Sequence, residues 1–169
     1  MATDALAYQD YVAGRLQWLR RTAYLLCGDW HTADDLVSIT LTKLFRRWHR
    51  ASTLDNIDAY VWRALLNTWL DERRRPWRRE RSVAVLPDVA AAVPDPEQRL
   101  ALLACLDELP PRRRAVLVLR YFCDLSVRDT AEALGCSEGT VKSQASDALD
   151  TLRVRLAGAI NFEGEPLWT

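Results

Sequence analysis

The sequence predicts an all-α protein: two small helical domains, a helical bundle and a helix-turn-helix unit, joined by a proline-containing linker. Three features point there. Apolar residues recur at helical spacing through most of the 169 residues, and few segments alternate apolar with polar as a strand does. Ala, Leu and Arg dominate, and all three are good helix formers. Pro87, Pro94 and Pro96 crowd one stretch of small residues and divide the chain. The boundaries read as a first domain over 1–81, a linker over 82–96, a second domain over 97–160 and a tail over 161–169.

In the first domain, Leu16, Leu19, Ala23, Leu26 and Cys27 form one helical stripe, which Gly28-Asp29 ends. A second helix starts near Thr32, with Leu36, Val37, Leu41, Leu44, Phe45 and Trp48 as apolar positions. Arg50 to Asn56 is polar and reads as a loop. A third helix turns Ile57, Tyr60, Val61, Ala64, Leu65, Thr68 and Trp69 inward, and Pro76 interrupts its basic end.

The second domain opens with a helix from Glu97 to Leu109 that places Leu100, Leu103, Ala104 and Leu106 inward. Pro110-Pro111 breaks it. A helix from Arg112 to Phe122 follows, carrying Val116, Leu117 and Leu119. The most informative stretch runs from Leu125 to Lys142. Ser126 is a good N-cap with Asp129 three residues on. Ala131 is small where two helices cross, and Leu134 anchors the first of them. Gly135 supplies the left-handed residue that ends it. Ser137 caps a second helix, and Val141 points back into the core. This is a helix, a Gly-containing turn and a helix. In such modules the second helix enters the major groove. Its outward residues here are Glu138, Thr140, Lys142, Ser143, Gln144, Ser146 and Asp147. Ser137 to Thr140 stand at the helix N-terminus, where phosphate binds.

Net charge is zero, with 23 basic and 23 acidic residues, but the distribution is uneven. Lys43 to Arg81 holds eleven basic residues against five acidic, densest from Arg73 to Arg81. Such a cluster is a candidate phosphate-binding face. On the groove-facing helix Lys142 is the only nearby cation, and Asp147 would repel phosphate. The four cysteines, Cys27, Cys105, Cys123 and Cys136, form no CxxC pair, and only His31 and His49 could join them. They read as small buried hydrophobes rather than metal ligands. No secretory signal, and no apolar run near the ~20 residues that cross a bilayer, is present. The expectation is a cytoplasmic protein with reduced thiols, no cofactor, no metal and no membrane insertion. No catalytic constellation appears, so the chain is not expected to be an enzyme.

Four segments, in order, resemble the extracytoplasmic-function sigma factors of bacteria, in particular the actinobacterial SigE-type branch. They are Ala33-Asp34-Asp35-Leu36-Val37, Ala59 to Asn67, Leu109 to Leu117, and Ser137 to Ser143. The resemblance covers roughly residues 8 to 158. It implies that the first domain binds the polymerase β′ clamp helices and opens the −10 element, while the second binds the β flap and reads the −35 element. Asp34, Asp35, Leu36, Val37, Leu41 and Phe45 fall on the helix that looks like the polymerase-binding surface, and Asp34 and Asp35 have no evident packing role there. The loop ending at Asn56 resembles one that captures a flipped −10 base. Arg63 and Asn67, four apart on one helical face, match −10 reading positions, Arg suiting guanine and Asn adenine. Trp62 could stack on a base, and Trp69 reads as core. Arg73, Arg74, Arg75 and Arg78 would hold phosphates. Ser137, Thr140, Lys142, Ser143, Gln144 and Ser146 would meet the −35 element. Implied partners are core RNA polymerase and promoter DNA, and an anti-sigma factor is a common further partner in the family. Two other readings fit parts of the pattern: a stand-alone helix-turn-helix regulator, and a sigma-like interaction module that reads DNA poorly.

Overall fold

The computed structural model describes residues 2–74 and 96–159. The chain divides into two compact units, Met1–Ala84 and Val85–Thr169. The predicted linker lies outside the described residues except for Pro96, as does the tail. Among the described residues every regular element is helical.

The first unit contains α1 (Ala2–Cys27), α2 (Trp30–Arg46), α3 (Trp48–Ala51) and α4 (Ile57–Arg73). Gly28, at φ +77°, turns the chain out of α1. Asp29 then caps α2 by accepting hydrogen bonds from the Thr32 backbone N–H (2.8 Å) and hydroxyl (2.7 Å). The cap sets the start at Trp30, two residues before the expected Thr32. Leu19, Ala23, Leu26, Leu36, Leu44, Leu65 and Trp69 are shielded from solvent and form the core of this unit.

Trp48 does not extend α2. Arg47 leaves helical geometry at φ −117°, and Trp48–Ala51 forms a turn of its own. Trp48 packs against the rings of Tyr8 and Tyr11, at 5.3 and 5.6 Å between centroids. That burial holds Arg50 and Ala51 in the turn, so the loop expected from Arg50 begins at Ser52. The start of α4 is tied to α1 at Asp58. Its carboxylate accepts from Tyr11 Oη at 2.8 Å and from Arg15 Nη2 at 2.6 Å.

The second unit contains α5 (Pro96–Glu108), α6 (Pro111–Leu117), a π-helical turn (Val118–Phe122), α7 (Val127–Leu134) and α8 (Glu138–Ala159). The inward face of α5 differs from expectation. Cys105 and Leu106 are buried, as is Leu109 just after the helix, while Leu100 and Ala104 are exposed and Leu103 is half-buried. Apolar residues run unbroken from Leu100 to Leu106, so their spacing selects no face. The helix expected over Arg112 to Phe122 changes pitch after Leu117. Cys123 N–H closes its last turn on the Val118 carbonyl, five residues back, at 3.0 Å. Arg114 is buried within this unit, with Nη1 donating to Asp107 at 2.8 Å.

Candidate nucleic-acid interface

One side of α4 is core and the other is open. Val61, Trp62, Leu65, Leu66, Thr68 and Trp69 are buried. Arg63 and Asn67 are exposed, one turn apart on the opposite side. Trp62 meets Trp18 edge-on, with 4.3 Å between centroids, so the stacking role considered for it is overturned by burial. Arg73 lies 5.5 Å from the centroid of the Trp69 ring, and Arg74 is exposed. The two arginines leave α4 at its C-terminal end, on the same element as Arg63 and Asn67. Arg75 and Arg78 lie outside the described residues. Asn56 is exposed, but its Oδ1 caps α4 by accepting from Ala59 N–H at 2.9 Å. That atom is therefore committed to the helix.

The residues assigned to a polymerase surface on α2 separate. Leu36 and Val37 are buried in the unit's own core and offer no side chain to a partner, which corrects that assignment. Leu41 is half-buried, and its carbonyl accepts from Tyr8 Oη at 2.9 Å. Phe45 is 56% exposed, with Tyr8 against its edge. Asp34 is exposed, and Asp35 is half-buried. Asp34 does have an internal role, contrary to expectation, because Arg20 of α1 bonds both its oxygens.

In the second unit the helix-turn-helix forms as its sequence dictates. Ser126 Oγ accepts from Asp129 N–H at 3.0 Å, and Gly135 adopts the left-handed conformation at φ +62°. Cys136 N–H returns to the Ala131 carbonyl at 3.0 Å. Ser137 Oγ accepts from Thr140 N–H at 3.1 Å. Val116, Ala131, Val141 and Ala145 close the core between the helices. Of the predicted −35 residues, Ser137, Lys142, Ser143 and Ser146 are exposed, while Thr140 and Gln144 are half-buried.

Lys142 is not alone. It lines an open depression of about 270 Å³ together with Arg120, Tyr121, Ser146 and Arg153. Arg120 is held there by donating to the Leu125 carbonyl. On the other flank, Arg113 Nη2 reaches Asp147 Oδ2 at 2.9 Å. Sequence reasoning missed these three arginines. Arg113 and Arg120 lie more than twenty residues before Lys142, and only the fold brings them to α8.

Comparisons with known proteins match both units. The model described as "Sigma-70 region 2" covers residues 12–79, and "Sigma-70, region 4" covers residues 99–152. An RNA polymerase sigma-E factor of Streptomyces avermitilis is 35% identical over 160 residues, spanning 90% of this chain and 87% of that protein. Its counterpart in Streptomyces coelicolor is 34% identical over 160 residues, spanning 90% and 88%. Among solved structures, the sigma factor RpoE, in complex with the anti-sigma factor NepR from Bartonella quintana, shares the fold. Its TM-score is 0.77 at 24% identity, covering 89% of this chain and 97% of that one. Matches to both regions, in the order the fold presents them, leave one family: the chain belongs to the sigma-70 family of RNA polymerase sigma factors, which direct transcription initiation.

Proposed function

We propose that the first unit binds core RNA polymerase and the −10 element, and that the second binds the β flap and the −35 element. The observation that carries this is the division of labour on α4. One face is locked into a core, and the other presents Arg63 and Asn67 on a rigid support. Both side chains are suited to base edges. The polymerase contact falls to the exposed members of the α2 set, Asp34 and Phe45, with Asp35 and Leu41 at its edge. Arg73, Arg74, Arg75 and Arg78 hold phosphates. Asn56 closes the loop that receives an unstacked base. The −35 contact uses Ser137, Thr140, Lys142, Ser143, Gln144 and Ser146.

The linker over 82–96 ties two contacts of modest strength into one tight one by raising the effective concentration of the second. The work is done beside polymerase in the cytoplasm. No helix among the described residues is long and apolar enough to cross a membrane. An anti-sigma factor is a further partner of this reading, supported by the RpoE–NepR complex.

Capture of core polymerase followed by run-off transcription tests it. Promoter-dependent transcripts that require the added chain are expected. Absence of polymerase binding would sink the reading, and binding without transcripts would reduce the chain to an interaction module.

A further inference from the structure

An aspartate on the groove-facing side of a DNA-binding helix calls for a reason. Val141, Ala145, Ala148 and Leu152 fix the buried side of α8. At 100° per residue the side opposite them runs through Gly139, Ser143, Ser146 and Asp147 along the first turns and on to Asp150 and Val154. The first three of these are Gly or Ser. Gly139 is not required by packing, because an added Cβ would meet nothing nearer than Ser137 Oγ at 3.8 Å. Small side chains on the first turns of this strip let the helix backbone come close to a groove floor, and Asp147 is the first longer side chain on it.

Arg113 takes one oxygen of that aspartate, Oδ2, at 2.9 Å. Both side chains are half open to solvent, so as a stabilising ion pair it contributes little. Its effect on DNA binding is larger in kind. Arg113 offsets the charge that would repel phosphate, and it fixes the carboxylate while leaving Oδ1 for another donor. An ionised carboxylate accepts and never donates. In the major groove, that selects the N4 amino group of cytosine: guanine O6 and thymine O4 repel it, and adenine sets the N7 acceptor beside its amino group.

We propose that Asp147, positioned by Arg113, is a specificity-determining residue that accepts a hydrogen bond from the N4 amino group of one cytosine in the −35 element. The proposal rests on the −35 reading of α8 given above. Arg113 serves as a positioning residue and supplies a cation that α8 itself lacks at this point.

The test is selection by holoenzyme, reconstituted from the full chain and bacterial core polymerase, on promoter duplexes randomised through the −35 element. The wild type is expected to enrich a motif with cytosine at one position. Asp147→Ala should lose about tenfold of the preference at that position alone and keep the rest of the motif. Asp147→Asn should shift that position toward adenine. Arg113→Ala should weaken binding to all duplexes about tenfold, because Asp147 is left uncompensated, and should flatten the cytosine preference that the held carboxylate provides. A wild-type motif that Asp147→Ala leaves unchanged overturns the proposal while the −35 reading stands. No enriched motif from the wild type overturns both. Circular dichroism melting of the variants separates misfolding from lost readout.

Discussion

Arg20 holds Asp34 by both carboxylate oxygens, Nε to Oδ1 at 2.5 Å and Nη2 to Oδ2 at 3.0 Å. The pair ties α1 to α2 at the surface, with side-chain exposures of 33% and 49%. Exposed pairs contribute roughly 0.2–1 kcal/mol, which is a shift of a few degrees in melting temperature. Asp34→Ala is therefore expected to melt within about 5 °C of the wild type. If Asp34 also meets polymerase, the same variant loses capture of core enzyme about tenfold. Equal capture by the two proteins would confine Asp34 to its internal role.

Arg63 and Asn67 project from α4 without contributing to its core. Alanine at either position is expected to leave folding and polymerase binding unchanged while lowering promoter opening. A base-edge contact is worth roughly 1–3 kcal/mol, so the loss is on the order of ten- to a hundredfold. Permanganate reactivity of −10 thymines in the holoenzyme complex reads it. Normal opening by both variants would remove the two residues from the −10 contact.

Asp29 provides a pH-dependent prediction. Partial burial pushes its carboxyl up, but hydrogen bonds from the Thr32 hydroxyl and N–H, with the charge of His31, outweigh that and leave it below the ordinary value. A carboxyl depressed on folding stabilises above its unfolded pKa, about 3.9, and that stability fades as pH falls through the lower folded value. Asp29→Asn keeps a cap but cannot titrate. Near neutrality the two proteins should differ little. The stability of the wild type relative to Asp29→Asn is expected to drop below about pH 4. Asp29→Ala should cost about 1 kcal/mol at pH 7, read by urea denaturation.

Gly139 separates fold from function. Alanine there should stabilise α8 by roughly 0.5–1 kcal/mol, since glycine is a poor residue inside a helix. Leucine should also fold, yet it places bulk on the side proposed above to approach DNA. Gly139→Leu is expected to weaken binding to −35 duplexes at least tenfold in a fluorescence anisotropy titration. Undiminished binding would mean that this side of α8 does not face the groove.

Much of this was legible in the sequence, for reasons that differ by residue. Gly135, Ser126, Ser137 and Val141 were readable because a cap, a left-handed turn and a core position are each set within a few residues. The exposure of Arg63 and Asn67 was readable because helical spacing puts them opposite Val61, Leu65 and Trp69, whereas their −10 role rests on the family resemblance. Leu36 and Val37 were misread as partner contacts because an apolar side chain on an amphipathic helix looks the same whether it meets its own core or another protein. The inward face of α5 was misassigned because Leu100 to Leu106 is apolar all round. The π-helical turn at Val118 leaves no trace in apolar spacing. Arg113 at Asp147 was invisible for a different reason: the two are 34 residues apart, and nothing local couples them.

Asp29, Asn56, Ser126 and Ser137 all perform the same act. Each side-chain oxygen receives the backbone N–H of the residue three positions on: Thr32, Ala59, Asp129 and Thr140. The starts of α2, α4, α7 and α8 are thus written by contacts that close almost no loop. Chains dominated by such short-range contacts fold in microseconds to milliseconds, because little loop entropy is lost before native interactions form. The starts of α4 and α8 are therefore fixed by their own few residues, independently of the long-range contacts that close the cores behind them.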